Sequence, residues 1–136
     1  MKIAIVGSMS FAKDILEVKK ELEKNGHNVS IPPDTYDCVN RPDLSDNLDF
    51  VLKHDLLKKC LRRVEENDAV LVLNHEKNNI KGYIGGASLM EIGVAYHLNK
   101  KIYILNSLPD ESELKYICEI KQAKPIILSG DLNKIE

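Results

Sequence analysis

The sequence predicts an α/β fold: one doubly wound, five-stranded parallel sheet of flavodoxin- or Rossmann-like order 2-1-3-4-5, with helices on both faces. Two observations predict it. Strand-like and helix-like segments alternate along the 136 residues, which is the pattern of repeated βα units. The strand-like runs are almost continuously apolar and rich in Val and Ile, as expected for parallel strands covered on two sides. We therefore expect a single domain over residues 1–136.

Five apolar runs predict the strands, and four segments with apolar residues at helical spacing predict helices. The strand runs are KIAIVGS (2–8), HNVSIPP (27–33), DAVLVLN (68–74), KIYILN (101–106) and PIILS (125–129). The helical segments are residues 10–26, 48–67, 87–99 and 111–120. The segment from Pro33 to Asn47 has no clean period and is rich in Pro, Asp and Asn, which predicts a long loop of the kind that often covers a ligand.

The composition argues against several classes of protein. A net charge of −2 lacks the basic excess of a protein that coats a nucleic-acid polymer. No run approaches the ~18–20 apolar residues of a membrane helix. Cys38, Cys60 and Cys118 form no CxxC pair and the four histidines have no metal-ligand spacing, so we expect no metal, no other cofactor and a reducing, cytoplasmic setting.

The predicted fold places a ligand site before any chemistry is known. In open parallel sheets, ligands bind beyond the carboxyl ends of the strands, near the point where strand order reverses. The segments expected there are residues 7–11 after the first strand, 33–47 after the second and 74–86 after the third. Ser8 and Ser10 flank the first turn, where hydroxyls and backbone amides suit a sugar or phosphate oxygen, although neither a P-loop nor a GxGxxG pattern is present.

Glu91 is the acid of greatest interest because it follows a glycine pair at this end of the sheet. Ser88 and Glu91 have the S-x-x-E spacing of a capping box, in which each side chain satisfies a free amide of the helix start. The alternative is a ligand site: Gly85 and Gly86 let a ligand approach the backbone, and a helix N-terminus would keep Glu91 ionised, as a nucleophilic carboxylate must be.

Asp55 is the second candidate acid. It lies one helical turn after Val51 and Leu52, so a continuous helix over residues 48–67 would turn it inward. It would then need a partner or a cleft. The alternative is that the helix end faces solvent and Asp55 pairs with Lys59. The basic residues 58–59 and 62–63 of the same helix are interpreted as a solvated face, and Cys60 as a small core residue.

The chain resembles the nucleoside 2-deoxyribosyltransferase superfamily, which includes the 2'-deoxynucleoside 5'-monophosphate N-glycosidases. The residues that carry the resemblance are Gly7-Ser8, the "HD" of His54-Asp55, "ENDAVLVLN" (66–74) and above all "GGASLMEIGVAYHLNKKIYIL" (85–105).

The resemblance implies a catalytic role for Glu91, which would attack the anomeric carbon, and for Asp55, which would assist the leaving group. It implies substrate binding by residues of the first loop and of the helix start, namely Gly7, Ser8, Met9, Ser10, Gly85, Gly86 and Ser88. The expected partner is a small nucleoside or nucleoside monophosphate. A homodimer or larger homo-oligomer is also implied, because family members commonly complete the site across a dimer.

Two alternatives stay open. Gly85 stands where transferases of the family carry an acid, and Met9-Ser10 follow Gly-Ser where an arginine can follow, which favours a non-catalytic module that binds a nucleotide. The second alternative is a "Lonely guy" type phosphoribohydrolase, whose GGxGTxxE block is matched less well because the glycine pair lies one residue too close to Glu91.

Overall fold

Five short strands form one parallel sheet in the computed structural model, which describes all residues from 1 to 136. They are β1 (Lys2–Gly7), β2 (Asn28–Ser30), β3 (Ala69–Leu73), β4 (Lys101–Ile104) and β5 (Ile126–Ile127). The strands lie in the order β2-β1-β3-β4-β5 and every neighbouring pair is parallel. The predicted α/β class, strand order and sheet are therefore confirmed.

Six helices connect the strands: α1 (Ala12–Lys24), α2 (Thr35–Cys38), α3 (Leu48–Lys53), α4 (Leu56–Glu66), α5 (Gly86–His97) and α6 (Ile117–Gln122). Three short 3-10 turns accompany them, at Met9–Phe11, Pro42–Asp46 and Leu132–Lys134. None of the helices is both long enough and apolar enough to span a bilayer.

Helices cover both faces of the sheet, because alternate residues of a strand point to opposite sides. Ile3 and Ile5 of β1 belong to a core that includes Ile15 and Leu22 of α1. Ala4 and Val6 of the same strand belong to a second core on the opposite face of the sheet. Three helices contribute side chains to this core: Val64 of α4, Ile92 and Ala95 of α5, and Ile117 and Ile120 of α6. The doubly wound arrangement follows from this alternation.

The predicted helix over residues 48–67 is wrong in one respect, since it breaks between Lys53 and Leu56. Asp55 adopts the left-handed region with φ 49°, a conformation that Asp tolerates better than most residues. The break resets the helical phase and Asp55 is exposed, which contradicts the inward alternative and agrees with the alternative of a helix end that faces solvent. The ion pairs of the structure join other residues, and Lys59 meets Asp55 through its backbone N–H, 3.2 Å from the Asp55 carbonyl oxygen.

Two other boundaries differ from prediction. The predicted loop over residues 33–47 contains α2 and a 3-10 turn, and α2 packs against α1 and the 3-10 turn at Met9–Phe11. The last predicted helix, residues 111–120, begins at Ile117 and ends at Gln122. Short elements of this kind are held by contacts that are distant in sequence, so a local periodicity does not place their ends.

The loop between β3 and α5 is tied to the end of β4. Asn74 accepts a hydrogen bond from the backbone N–H of Asn106 at 2.8 Å and donates one to the Asn106 carbonyl at 3.0 Å. Gly82 has φ +78°, and a Cβ there would collide with the carbonyl oxygen of Ser107. This packing fixes the approach of the chain to the start of α5.

Candidate active site

A cavity of about 390 Å³ opens at the carboxyl ends of β1, β2 and β3. Its volume lies within the ~300–1,000 Å³ range of small-molecule sites. The first turn after β1, the segment after β2, the start of α4 and the start of α5 all contribute to its wall. The position next to the β1–β3 boundary, where strand order reverses, is the one that the fold predicted.

Most of the predicted site residues line this cavity together: Gly7, Ser8, Met9, Gly85, Gly86, Ser88 and Glu91. Two do not. Ser10 is exposed and donates its backbone N–H to Ser8 Oγ at 3.3 Å, so it orders the turn that carries Ser8. Asp55 lies at the break between α3 and α4 with its side chain in solvent, although its neighbours Leu56 and Leu57 reach the cavity wall.

The predicted capping box does not form. Gly85 is the N-cap of α5 and the helix begins at Gly86, which makes Ser88 the third helical residue and Glu91 the sixth. The S-x-x-E spacing predicted Ser88 as the N-cap, which would start the helix at Leu89. The glycine pair instead starts the helix three residues earlier, at Gly86. Glu91 therefore lies in the second turn, with its side chain turned toward α4.

Glu91 is buried, with 4% of its surface exposed. Burial raises its pKa from 4.5 to about 7, against the lowering effect of Arg63 and with a smaller raising effect of Asp34. A charged carboxylate loses hydration in this position, and that loss outweighs the nearby cation. The helix N-terminus contributes less to the ionisation of Glu91 than the sequence predicted, because Glu91 lies beyond the first turn, where the dipole acts.

Arg63 is the nearest positive charge to Glu91, with Nη2 3.7 Å from Oε2. That separation is an ion pair but exceeds the ~2.7–3.2 Å of a hydrogen bond, which is why Glu91 Oε2 has no hydrogen-bond partner despite the nearby cation. Arg63 itself is 9% exposed. The prediction that this residue belongs to a solvated helix face is wrong.

The position of Arg63 follows from α4. Leu56, Cys60, Arg63 and Asn67 recur at helical spacing and form the inward stripe of this helix, with Cys60 lining the cavity. Arg63 donates to the Ile5 carbonyl at 2.9 Å and to the Ser30 carbonyl at 3.1 Å, beside the point where the β1–β2 pairing ends. The sequence shows this stripe when the helix is taken to begin at Leu56.

Asp34 is a second buried carboxylate in the cavity wall, with 6% of its surface exposed. It follows Pro32-Pro33 at the end of β2, and the Cys38 thiol donates to its Oδ2 at 3.6 Å. Burial and the nearby Asp34 raise the pKa of Cys38 to about 12, so the thiol keeps its proton at neutral pH. The sequence signal was an acid directly after the second strand, inside the segment expected near the ligand.

Lys77 adds a positive charge at the cavity wall that the sequence did not single out. Its Nζ donates to Ser8 Oγ at 2.8 Å and lies 5.6 Å from the centre of the Tyr83 ring. Lys77 and Tyr83 both come from the loop between β3 and α5, so this loop supplies a cation beside the first turn. An oxygen-rich or anionic ligand group would be favoured there.

Groups of three or more His, Cys, Asp or Glu side chains that could hold a metal ion do not occur in the structure. Comparison with known proteins found no family model and no curated protein that matches this chain.

Proposed function

We propose that this protein cleaves or transfers the N-glycosidic bond of a nucleoside or nucleoside 5'-monophosphate through a covalent glycosyl-glutamate at Glu91. The observation that carries the proposal is a buried carboxylate, Glu91, that lines a cavity of about 390 Å³ at the ligand end of the sheet. Buried acids with raised pKa values cluster at functional sites. The glycine pair before α5 leaves backbone open beside this acid.

The reaction has two steps. An oxygen of the Glu91 carboxylate bonds to C1' of the sugar as the C1'–N bond breaks, and the electron pair of that bond goes to the base nitrogen, which takes a proton from an acid. Water then attacks C1', the ester bond to Glu91 breaks and the carboxylate is released, while the water proton returns to the acid's conjugate base. A second nucleobase in place of water makes the protein a transferase.

We assign the proton exchange to Asp34. Its carboxylate is buried, lines the same cavity as Glu91 and lies close enough to raise the pKa of Glu91. The catalytic role that the family resemblance gives Asp55 stays a prediction, since Asp55 is exposed and outside the cavity wall. The two assignments lead to opposite mutational results.

Asp34→Asn is expected to slow base release by about a hundredfold or more, because a general acid–base contributes roughly that much. Asp55→Asn keeps the left-handed backbone, which Asn tolerates as well as Asp, and is expected to keep base release within about a factor of two. Steady-state rates of base release, with circular dichroism to check folding, compare them. The opposite ranking would move the proton exchange to Asp55.

A 5'-phosphate on the substrate is favoured by the cavity wall. Lys77 and Ser8 meet at the first turn, and the first N–H groups of α5, a helix of 12 residues, have no partner within the helix. These groups suit phosphate oxygens. Among nucleosides and their monophosphates, the monophosphates are therefore proposed as the better substrates.

We also propose a homo-oligomer and a cytoplasmic setting, as the resemblance and the cysteine pattern imply. Apolar side chains support an interface near the cavity: Leu52 of α3, Leu57 of α4 and Met90 of α5 are 67%, 43% and 49% exposed. Leu57 and Met90 also line the cavity. A second copy packed on them would narrow the cavity mouth.

The direct test follows free base released from a panel of ribo- and deoxyribonucleosides and their 5'-monophosphates. Glu91→Gln is expected to lower the rate roughly a thousandfold or more, as loss of a nucleophile does. Glu66→Gln, an exposed acid on α4, is the matched control and should behave as the wild type. Binding of a nucleotide without base release from any substrate would instead favour the non-catalytic binding module.

A further inference from the structure

We propose that Arg63 is a positioning residue for Glu91: its anchored guanidinium fixes the place of the carboxylate and favours the ionised form. The consequence for turnover rests on the proposed function, whereas the effect on the ionisation of Glu91 does not. Four observations carry the inference, and they concern the anchoring of Arg63, its distance from Glu91, the unpartnered atoms between them and the surrounding charges.

Arg63 is held rigidly by atoms of the sheet. Its Nη1 donates to the Ser30 carbonyl at 3.1 Å and to Ser30 Oγ at 3.2 Å, and its Nη2 donates to the Ile5 carbonyl at 2.9 Å. The Asn67 side chain donates to the Arg63 backbone carbonyl at 2.6 Å, which secures the same turn of α4. The guanidinium is a planar fork with a fixed geometry, so these contacts determine where its charge lies.

The distance of 3.7 Å between Arg63 Nη2 and Glu91 Oε2 is functionally informative. Here the backbone carbonyls retain the guanidinium just beyond hydrogen-bond length. Arg63 Nε and Glu91 Oε2 are both buried without a hydrogen bond to another protein group, and buried polar groups of this kind require an explanation.

Arg63 also opposes every other influence on the charge of Glu91. Asp34, from the segment after β2, raises the pKa of Glu91, and Arg63 lowers it. Cys60, beside Arg63 on α4, is neutral at pH 7 because burial raises its pKa to about 11. Val6, Val70 and Ile104 of the strands beneath α5 belong to the same hydrophobic core as Ile92, the residue after Glu91. Removal of Arg63 would therefore leave the Glu91 carboxylate without a compensating charge.

Two variants and a control test the inference. Arg63→Gln removes the charge but keeps a donor for the backbone carbonyls, and Arg63→Lys keeps the charge without the fork. Arg62→Gln removes an exposed neighbouring charge. The first readout is the pH titration of the Glu91 side-chain carboxyl by ¹³C NMR, assigned with Glu91→Gln. The second is the pH dependence of base release, whose acid limb reports the ionisation of the essential carboxylate.

We expect Arg63→Gln to move both the titration and the acid limb toward higher pH by about one pH unit or more, since an adjacent opposite charge has effects of that size. Arg63→Lys should restore the titration toward the wild-type pH, and Arg62→Gln should leave it unchanged. An Arg63→Gln titration that coincides with the wild-type curve overturns the inference.

The readouts separate this inference from the proposed function. If no substrate releases base, the proposed function fails and the NMR titration alone decides the role of Arg63. Should Arg63→Gln not fold, the double variant with Glu91→Gln decides. If the double variant folds, the result supports the coupling of Arg63 to Glu91, because the unpaired buried carboxylate is gone. If the double variant also fails to fold, Arg63 is a purely structural residue and the inference is overturned.

Discussion

At the residue scale, the buried position of Glu91 lowers the stability of the folded state. Its carboxylate is buried beside an arginine that other atoms hold away from it, and its raised pKa measures the cost of ionisation there. A glutamine would fit the same space without that cost. Residues that lower stability in this way are retained where activity requires them.

We expect Glu91→Gln to become more stable relative to the wild type as pH rises. Between its ordinary pKa of 4.5 and its folded pKa of about 7, Glu91 holds a proton in the folded state but not in the unfolded state. The free energy of unfolding of the wild type therefore falls with rising pH in this window. Titration of Glu91 lowers the free energy of unfolding of the wild type by about 3 kcal/mol across this window. The Glu91→Gln variant has no such titration, so its free energy of unfolding does not contain this decrease.

Urea unfolding of both proteins at pH 5 and pH 8 measures the effect. The stability difference between Glu91→Gln and the wild type should shift in favour of the variant from pH 5 to pH 8. A difference that is equal at the two pH values would mean that Glu91 titrates normally. Because each comparison is made at one pH, titrations elsewhere in the chain cancel.

Some residues of the cavity were predictable from sequence and others were not. Glu91, Ser8 and Gly85 were found because they lie after strands whose carboxyl ends must meet in a parallel sheet. Arg63 was missed because a charged residue on a charged helix is usually solvated, and only the break at Asp55 turns it inward. The inward alternative for Asp55 failed for the same reason.

At the element scale, the site depends on how the chain enters α5. The loop after β3 is tied to the end of β4 through Asn74, and the Tyr116 hydroxyl donates to the Ile84 carbonyl just before the helix. Two glycines then start the helix without a side-chain cap. The helix start is thus fixed by contacts with the segment after β4 and with Tyr116 before α6, which explains why the local S-x-x-E pattern gave the wrong N-cap.

Two glycine substitutions test this description. Gly82→Ala places a Cβ against the Ser107 carbonyl at a positive φ and is expected to lower the free energy of unfolding by about 2 kcal/mol or more. Gly93→Ala adds a methyl group to an exposed position of α5 where nothing lies within 4 Å, and should raise it by about 0.5–1 kcal/mol. Denaturant unfolding measures both changes. Equal effects of the two substitutions would contradict the account of this loop.

At the scale of the whole molecule, the fold was predictable in its strand order and its two covered faces. The apolar strands and their βα alternation leave few arrangements of a parallel sheet, and right-handed connections reduce them further. The short elements between residues 33 and 55 were not predictable, because long-range contacts hold them. These elements supply Asp34 and the break before α4, so the least predictable part of the fold contributes directly to the cavity.

At the same scale, the proposed function requires that the cavity accepts a nucleoside and that Glu91 forms a bond to its sugar. The most direct measurement is mass spectrometry of the protein quenched by acid during turnover of the best substrate, followed by peptide mapping. The account predicts a mass increase of one sugar residue on the peptide that contains Glu91, absent in Glu91→Gln and present in Glu66→Gln. Base release by the wild type with no sugar-bearing peptide, or with the sugar on a different residue, would contradict it.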